Sequence, residues 1–189
     1  NGLPVFLGNS SDGGYSWGAQ LEQGSYATSY IPTSGSAVTR VAEVCNNSGN
    51  EQVFNDSDGA IFLNFASYGD YVISLDDGTS TNRIQFFRTL TNDRIYIMIG
   101  GTFIINEVYR ATSNGVYNKY ALSYESGNIL LYVNGVLSRT YATAFTSTPF
   151  TKFNLNQYDG AASVSVSFKE SKIYNTALTD QELIALTTI

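Results

Sequence analysis

The chain contains no histidine. That absence removes the Ser-His-Asp triad, the Cys-His nucleophile and every histidine-based zinc site from it. One cysteine, Cys45, excludes an internal disulfide. With no histidine to activate it, Cys45 reads as a small buried apolar residue rather than a reactive thiol. Charge is scarce as well: 10 Lys and Arg stand against 16 Asp and Glu, a net −6 over 189 residues. The cations are scattered, and phosphate contacts need them clustered, so nucleic acid is a poor partner. No apolar run approaches the ~18 residues of a membrane-spanning helix, which argues against insertion.

What is present favours β structure. There are 14 Tyr and 11 Phe, and Ser, Thr, Asn and Gly are abundant. These residues suit strands and turns better than helices. The length fits one domain, or one domain plus a fragment. The chain starts Asn1-Gly2-Leu3, without Met or signal peptide. It reads as a C-terminal piece of something longer.

One strand is expected near the start, Tyr15 to Leu21 (YSWGAQL). Residues 24–40 are small, polar and proline-containing, which suits an extended connector. We therefore divide the chain into 1–38, the terminal strand of a preceding β domain plus an extended linker, and 39–189, a β-sandwich domain. In the second part, short strands alternate with turn signals. Ala60–Ser67, Tyr71–Leu75, Arg83–Thr89, Arg94–Ile99, Thr102–Arg110, Tyr117–Tyr124, Ile129–Val133, Thr151–Asn156 and Ala162–Tyr174 are the candidates. In Arg94–Ile99, Ile95, Ile97 and Ile99 share one face and Tyr96 and Met98 the other. Asn134-Gly135 is the clearest hairpin turn. The one good helix signal is a capping box, Thr179 with Glu182, ahead of Leu183, Ile184 and Leu186. About ten strands without intervening helices predict an all-β antiparallel sandwich or barrel.

The C-terminal residues resemble a known family. KYALSYESGNILLYVNGVLSRT and SFKESKIYNTALTDQELIALTTI are similar to the laminin-G-like branch of the concanavalin A-like lectin/glucanase superfamily. Tyr132, Asn134 and Gly135 match its hairpin. Ile173, Tyr174, Asn175, Leu178, Thr179, Glu182 and Leu183 match its closing segment. The resemblance covers roughly 40–189. It implies a jelly-roll sandwich with one short C-terminal helix. A second resemblance lies upstream, in YSWGAQLEQGSYATSYIPTSGSAVTRVAE. Trp17, Gly18, Ala19, Gln20, Leu21, Glu22 and Gly24, then Thr28 to Thr33, Thr39 and Arg40, look like a junction in tail and other structural proteins of bacteriophages. Prophages and secreted bacterial enzymes carry it too.

Glucanases of this superfamily align carboxylates along one strand as Glu-x-Asp-x-(x)-Glu, so that one ionises while its neighbour stays protonated. No such spacing occurs here, and the chain reads as a non-enzyme. Asp56, Asp58, Asp76 and Asp77, in turn-like stretches, are candidate calcium ligands; calcium is the metal usual in this superfamily. The alternative is solvated turn acids. Glycan binding needs aromatic faces for sugar C–H surfaces and planar polar groups for hydroxyls. Tyr68, Asp70, Tyr71, Arg88, Tyr96, Tyr158 and Asp159 can supply them, against the plainer reading of tyrosines on half-exposed strands. The resemblances imply a non-catalytic glycan-recognition or adhesion module on the virion exterior, in a tail fibre, spike or head fibre. Its partners would be host surface glycans and other virion subunits, and it would be a homotrimer. The alternatives are an assembly or decoration module that binds virion proteins, and an accessory domain of a secreted, extracellular polysaccharide-degrading enzyme.

Overall fold

The computed structural model describes residues 13, 15, 17–21, 30–39, 49, 53–55, 57–89, 92–111, 114–144, 150–156 and 165–189. The chain groups into two units, Asn1–Glu43 and Val44–Ile189. Cys45 lies outside the described residues. In the first unit the expected strand Tyr15–Leu21 is not formed at the described positions. An extended segment becomes a strand only when its N–H and C=O groups meet a neighbouring strand. Among the described residues of this unit none does so, and Tyr15, Trp17 and Leu21 are exposed. Local contacts organise it instead: Ile31 N–H donates to Gln20 Oε1 (3.0 Å), and Trp17 meets Tyr30 edge-on at 5.7 Å.

The second unit is an antiparallel sandwich. Its strands are β1 (Asp58–Ser67), β2 (Val72–Asp76), β3 (Arg83–Thr89), β4 (Asn92–Ile99) and β5 (Thr102–Ala111). They continue with β6 (Asn118–Glu125), β7 (Asn128–Val133), β8 (Val136–Tyr141), β9 (Lys152–Asn154) and β10 (Val166–Tyr174), and one helix, α1 (Asp180–Thr187), follows. One sheet runs β10-β1-β6-β7-β8 and the other β5-β4-β3-β2-β9. The core lies between them. Ile61, Leu63 and Phe65 of β1 meet Ile73 and Leu75 of β2, Ile84 and Phe86 of β3, and Ile95, Ile97 and Ile99 of β4. Tyr120 and Leu122 of β6 complete it; Phe65 stacks on Tyr120 at 5.0 Å and meets Tyr71 edge-on at 5.0 Å. Residues of period two along each strand therefore fill the core, and the intervening residues face outward.

The hairpin and helix signals are realised. Asn134 (φ 51°) and Gly135 (φ 80°) both take the left-handed conformation that matches the twist of a two-residue hairpin. The Asn134 side chain is also fixed, accepting from Lys119 N–H (2.8 Å) and donating to Asn118 (2.9 Å). Thr179 caps α1 through Glu182 N–H, and the Glu182 carboxylate returns a bond to Thr179 N–H (2.9 Å). The helix lays Leu183, fully buried, on Phe62, Ala121 and Tyr132. Tyr132 O–H donates to Asp180 (2.9 Å). α1 thus packs on the middle of the outer face of the β10-β1-β6-β7-β8 sheet, over β6, β7 and Phe62 of β1, while β8 and β10 stay largely exposed.

Replacing Leu183 by Ala should cost about 2–5 kcal/mol, because it leaves a cavity under the helix. Thr179→Ala should cost about 1 kcal/mol through the lost cap. Urea unfolding followed by circular dichroism reads both. A wild-type midpoint for Leu183→Ala would show that the helix does not seal this face.

Candidate functional site

Two of the expected ligand residues lie inside the sandwich. Tyr71 is buried, with its hydroxyl 3.3 Å from that of Tyr109. Arg88 is buried over the Tyr71 ring and reaches Asp93 Oδ1 through Nε at 3.0 Å. Its Nη1 donates to Asn114 Oδ1 at 2.7 Å. Asp93 is fully buried, and Arg110 approaches its second oxygen at 3.5 Å. A buried carboxylate flanked by two guanidiniums keeps its charge compensated, and removing a partner would strand the remainder. These residues close one end of the sandwich rather than present a surface. Tyr68 is half-exposed and Asp70 exposed beside that end. Tyr158 and Asp159 lie outside the described residues.

The turn acids are engaged with the chain itself. Asp58 accepts from Asn55 (2.9 Å), Ser57 (3.0 Å) and Ala177 N–H (3.1 Å), tying the start of β1 to the turn after β10. Asp76 is fully buried and accepts from Ser74 (2.7 Å), Asn154 (2.8 Å) and Gly78 N–H (2.9 Å). Asp77 accepts from Thr79 N–H (2.8 Å), the Thr79 hydroxyl (2.6 Å) and Asn82 (2.7 Å). Burial pushes the Asp77 carboxyl up, but these hydrogen bonds outweigh it and hold it below its ordinary value. A calcium ion needs six to eight oxygens. Among the described residues no group of three acidic side chains converges, and the oxygens of Asp58, Asp76 and Asp77 are spent on N–H and O–H donors. They fit a metal poorly. Asp56 lies outside the described residues.

The remaining expected residue, Tyr96, leads to a different place. It is half-buried on the outer face of the β5-β4-β3-β2-β9 sheet, opposite the core residues Ile95 and Ile97. Register places Asn154, Ser74, Gln85, Tyr96 and Asn106 in one row across five strands. The Arg83 guanidinium sits over the Tyr96 ring, 5.0 Å from its centroid. Phe87 and Phe103 meet the same ring edge-on at 5.0 and 5.4 Å. Arg94 lies over Phe87 at 5.9 Å and donates from Nη2 to Asn106 Oδ1 (3.0 Å). The face is graded: Asn106 and Phe103 are exposed on β5, whereas Gln85 is 1% exposed and Ser74 fully buried. At its floor, Gln85 Nε2 is shielded from solvent and has no hydrogen-bond acceptor. A buried amide N–H left unmade is costly, and such groups cluster where a ligand or water completes them.

Sequence reasoning found Tyr96 and missed Gln85, Arg83, Phe87, Arg94, Phe103 and Asn106. The signal was there. Once Ile95, Ile97 and Ile99 are assigned inward, pairing β3, β4 and β5 in register brings the intervening residues together on the other face.

The sequence profile of the concanavalin A-like lectin/glucanases superfamily matches residues 44–184. The chain belongs to that superfamily. No curated protein sequence matches it significantly. Among solved structures it is similar to the CBM40 of the Ruminococcus gnavus IT-sialidase bound to alpha2,3 sialyllactose. There the identity is 19% and the TM-score 0.59, over 78% of this chain and 96% of that one. It is also similar to domain 4 of AbnA, an extracellular arabinanase from Geobacillus stearothermophilus, in complex with arabinotriose. That match has 15% identity and a TM-score of 0.54, over 74% and 70% of the two chains. A SAP-like pentraxin from Limulus polyphemus matches at 10% identity and a TM-score of 0.55, over 74% and 72%. These likenesses establish a shared fold.

The buried tyrosines make alkaline pH a test of the packing. Burial drives the Tyr71, Tyr109 and Tyr120 hydroxyls well above their ordinary value, and burial together with Glu107 pushes Tyr141 up to about 12. The fold accommodates the neutral phenol. This stabilisation is therefore complete below the unfolded value of about 10 and is lost as pH climbs through the raised folded-state values. Absorbance at 295 nm should show late tyrosine ionisation coinciding with loss of near-ultraviolet dichroism. All 14 tyrosines titrating near pH 10 with the fold intact would contradict the burial.

Proposed function

We propose that the Val44–Ile189 sandwich is a non-catalytic carbohydrate-binding module, and that its ligand face is the outer face of the β5-β4-β3-β2-β9 sheet. One observation carries this reading. The buried Gln85 amide, with an N–H unfilled, sits beside Tyr96 within a cluster of Phe87, Phe103 and two arginines. Saccharide sites combine these two elements: an aromatic ring for the C–H face and planar polar groups for the hydroxyls. On the opposite outer face α1 covers β6, β7 and Phe62, which leaves less of that sheet open. The fold is also that of modules bound to sialyllactose and arabinotriose. A non-catalytic role is supported by the engagement of Asp58, Asp76 and Asp77 in main-chain hydrogen bonds.

The junction-like residues between Trp17 and Arg40 support a place on the exterior of a bacteriophage structural protein, facing host surface glycans. A trimeric fibre would there multiply weak single-site binding through effective concentration. A second reading, an assembly module that binds virion subunits, is favoured by the exposure of Tyr15, Trp17 and Leu21.

Tyr96→Ala should weaken glycan binding by at least about tenfold while leaving the unfolding free energy within about 1 kcal/mol of wild type, as expected for a half-exposed ring. A glycan array with wild type and variant, each verified as folded, reads the effect. Undiminished binding by Tyr96→Ala would move the site off this face. A folded wild type that binds no glycan would favour the assembly reading.

A further inference from the structure

Deepening the carbohydrate reading, on which this inference rests, we infer that the ligand of this face is an acidic saccharide whose carboxylate is held by Gln85 and Arg94. The shared fold does not decide this, since its members include modules complexed with acidic and with neutral sugars. The polar inventory of the face does. Gln85 Nε2 and Arg94 Nε are both shielded from solvent, and neither has a hydrogen-bond acceptor. They lie on adjacent strands and one face: Gln85 is opposite Tyr96 and Arg94 two residues along β4, a diagonal within reach of long side chains. Arg94 Nη2 is already steadied by Asn106, which fixes the plane of the guanidinium and leaves its Nε edge for a two-oxygen acceptor.

Charge points the same way. The chain is acidic overall, yet Arg83, Arg94 and Lys152 all belong to this face, three of its 10 basic residues. The described carboxylate on the face, Asp76, is consumed by Ser74, Asn154 and Gly78 and is buried. The site therefore offers donors and positive charge without a competing free acid. A neutral sugar would leave the arginine edge without a charged partner. A carboxylate, which accepts only and presents about four lone-pair directions, suits both donors once a covering side chain moves aside to admit it.

The test is calorimetric titration of the full 189-residue chain with matched pairs: 3′-sialyllactose against lactose, and oligogalacturonate against its methyl ester. The expected result is binding of one acidic member and at least about tenfold weaker binding of its neutral counterpart. The affinity should fall as salt is raised from 50 to 500 mM, because the contact is ionic. Arg94→Gln should lose about ten- to a hundredfold on the acidic ligand. Gln85→Met, similar in volume, should lose less and serves as a second variant should one misfold. Equal affinity for acidic and neutral members, or an Arg94→Gln variant that binds like wild type, overturns this inference and leaves the carbohydrate reading standing. A folded wild type that binds neither class, here or on the array, overturns the carbohydrate reading itself.

Discussion

The pleat of β4 is the constraint on which the rest depends. Ile95, Ile97 and Ile99 enter the core at every second residue, so Arg94, Tyr96 and Met98 have no choice but the opposite face. The neighbours obey the same rule in register: Ile84 and Phe86 on β3 turn Arg83, Gln85 and Phe87 outward, and Ile73 and Leu75 on β2 turn Ser74 and Asp76 outward. A slip of β4 by one residue would bury Arg94 and expose three isoleucines. The burial of the isoleucines, not any interaction within the site, therefore assembles the polar and aromatic row.

The two outer faces of the sandwich are treated differently. On the β10-β1-β6-β7-β8 sheet α1 covers the central strands, its Leu183 resting on Phe62, Ala121 and Tyr132. The cap at Thr179 and the bond from Tyr132 to Asp180 fix the helix in place. On the other sheet, side chains pack mainly on one another: guanidinium on tyrosine, phenyl rings edge-on, guanidinium on phenyl. Such contacts orient the rings and arginines while shielding Gln85 Nε2 and Arg94 Nε from solvent. The ion-paired Arg88–Asp93–Arg110 cluster at the end of the sandwich belongs to a third category. It compensates a buried charge and supports the tyrosines around it.

Much of the fold was legible because its signals are local. The Asn134-Gly135 hairpin, the Thr179/Glu182 capping box and the Ile95/Ile97/Ile99 alternation each lie within a few residues. The site was less legible because its residues are joined only by strand pairing. Tyr71 and Arg88 looked suitable by type, but a ring or guanidinium on a strand points inward or outward according to register. Theirs point inward, Tyr71 to Tyr109 and Arg88 to Asp93. Gln85 carried no signal by itself, since its significance comes from being buried without an acceptor. The acidic turns misled for a similar reason: Asp76 and Asp77 resemble metal ligands until their donors, Ser74, Asn154, Thr79 and Asn82, are in view. The strand expected at Tyr15–Leu21 was judged on composition, whereas a strand is defined by its partner.

The proposed docking face for a saccharide is built around Gln85, Tyr96 and Arg94. Its most direct measurement is a nuclear magnetic resonance titration of the labelled protein with the best-binding glycan. The side-chain amide of Gln85, the Nε–H of Arg94 and the ring of Tyr96 should shift with a common saturation curve, while Leu183 and the Asn134-Gly135 hairpin stay still. Saturable shifts confined to the ends of the sandwich, around Tyr68 and Asp70 or the Asp76-Asp77 turn, would contradict it.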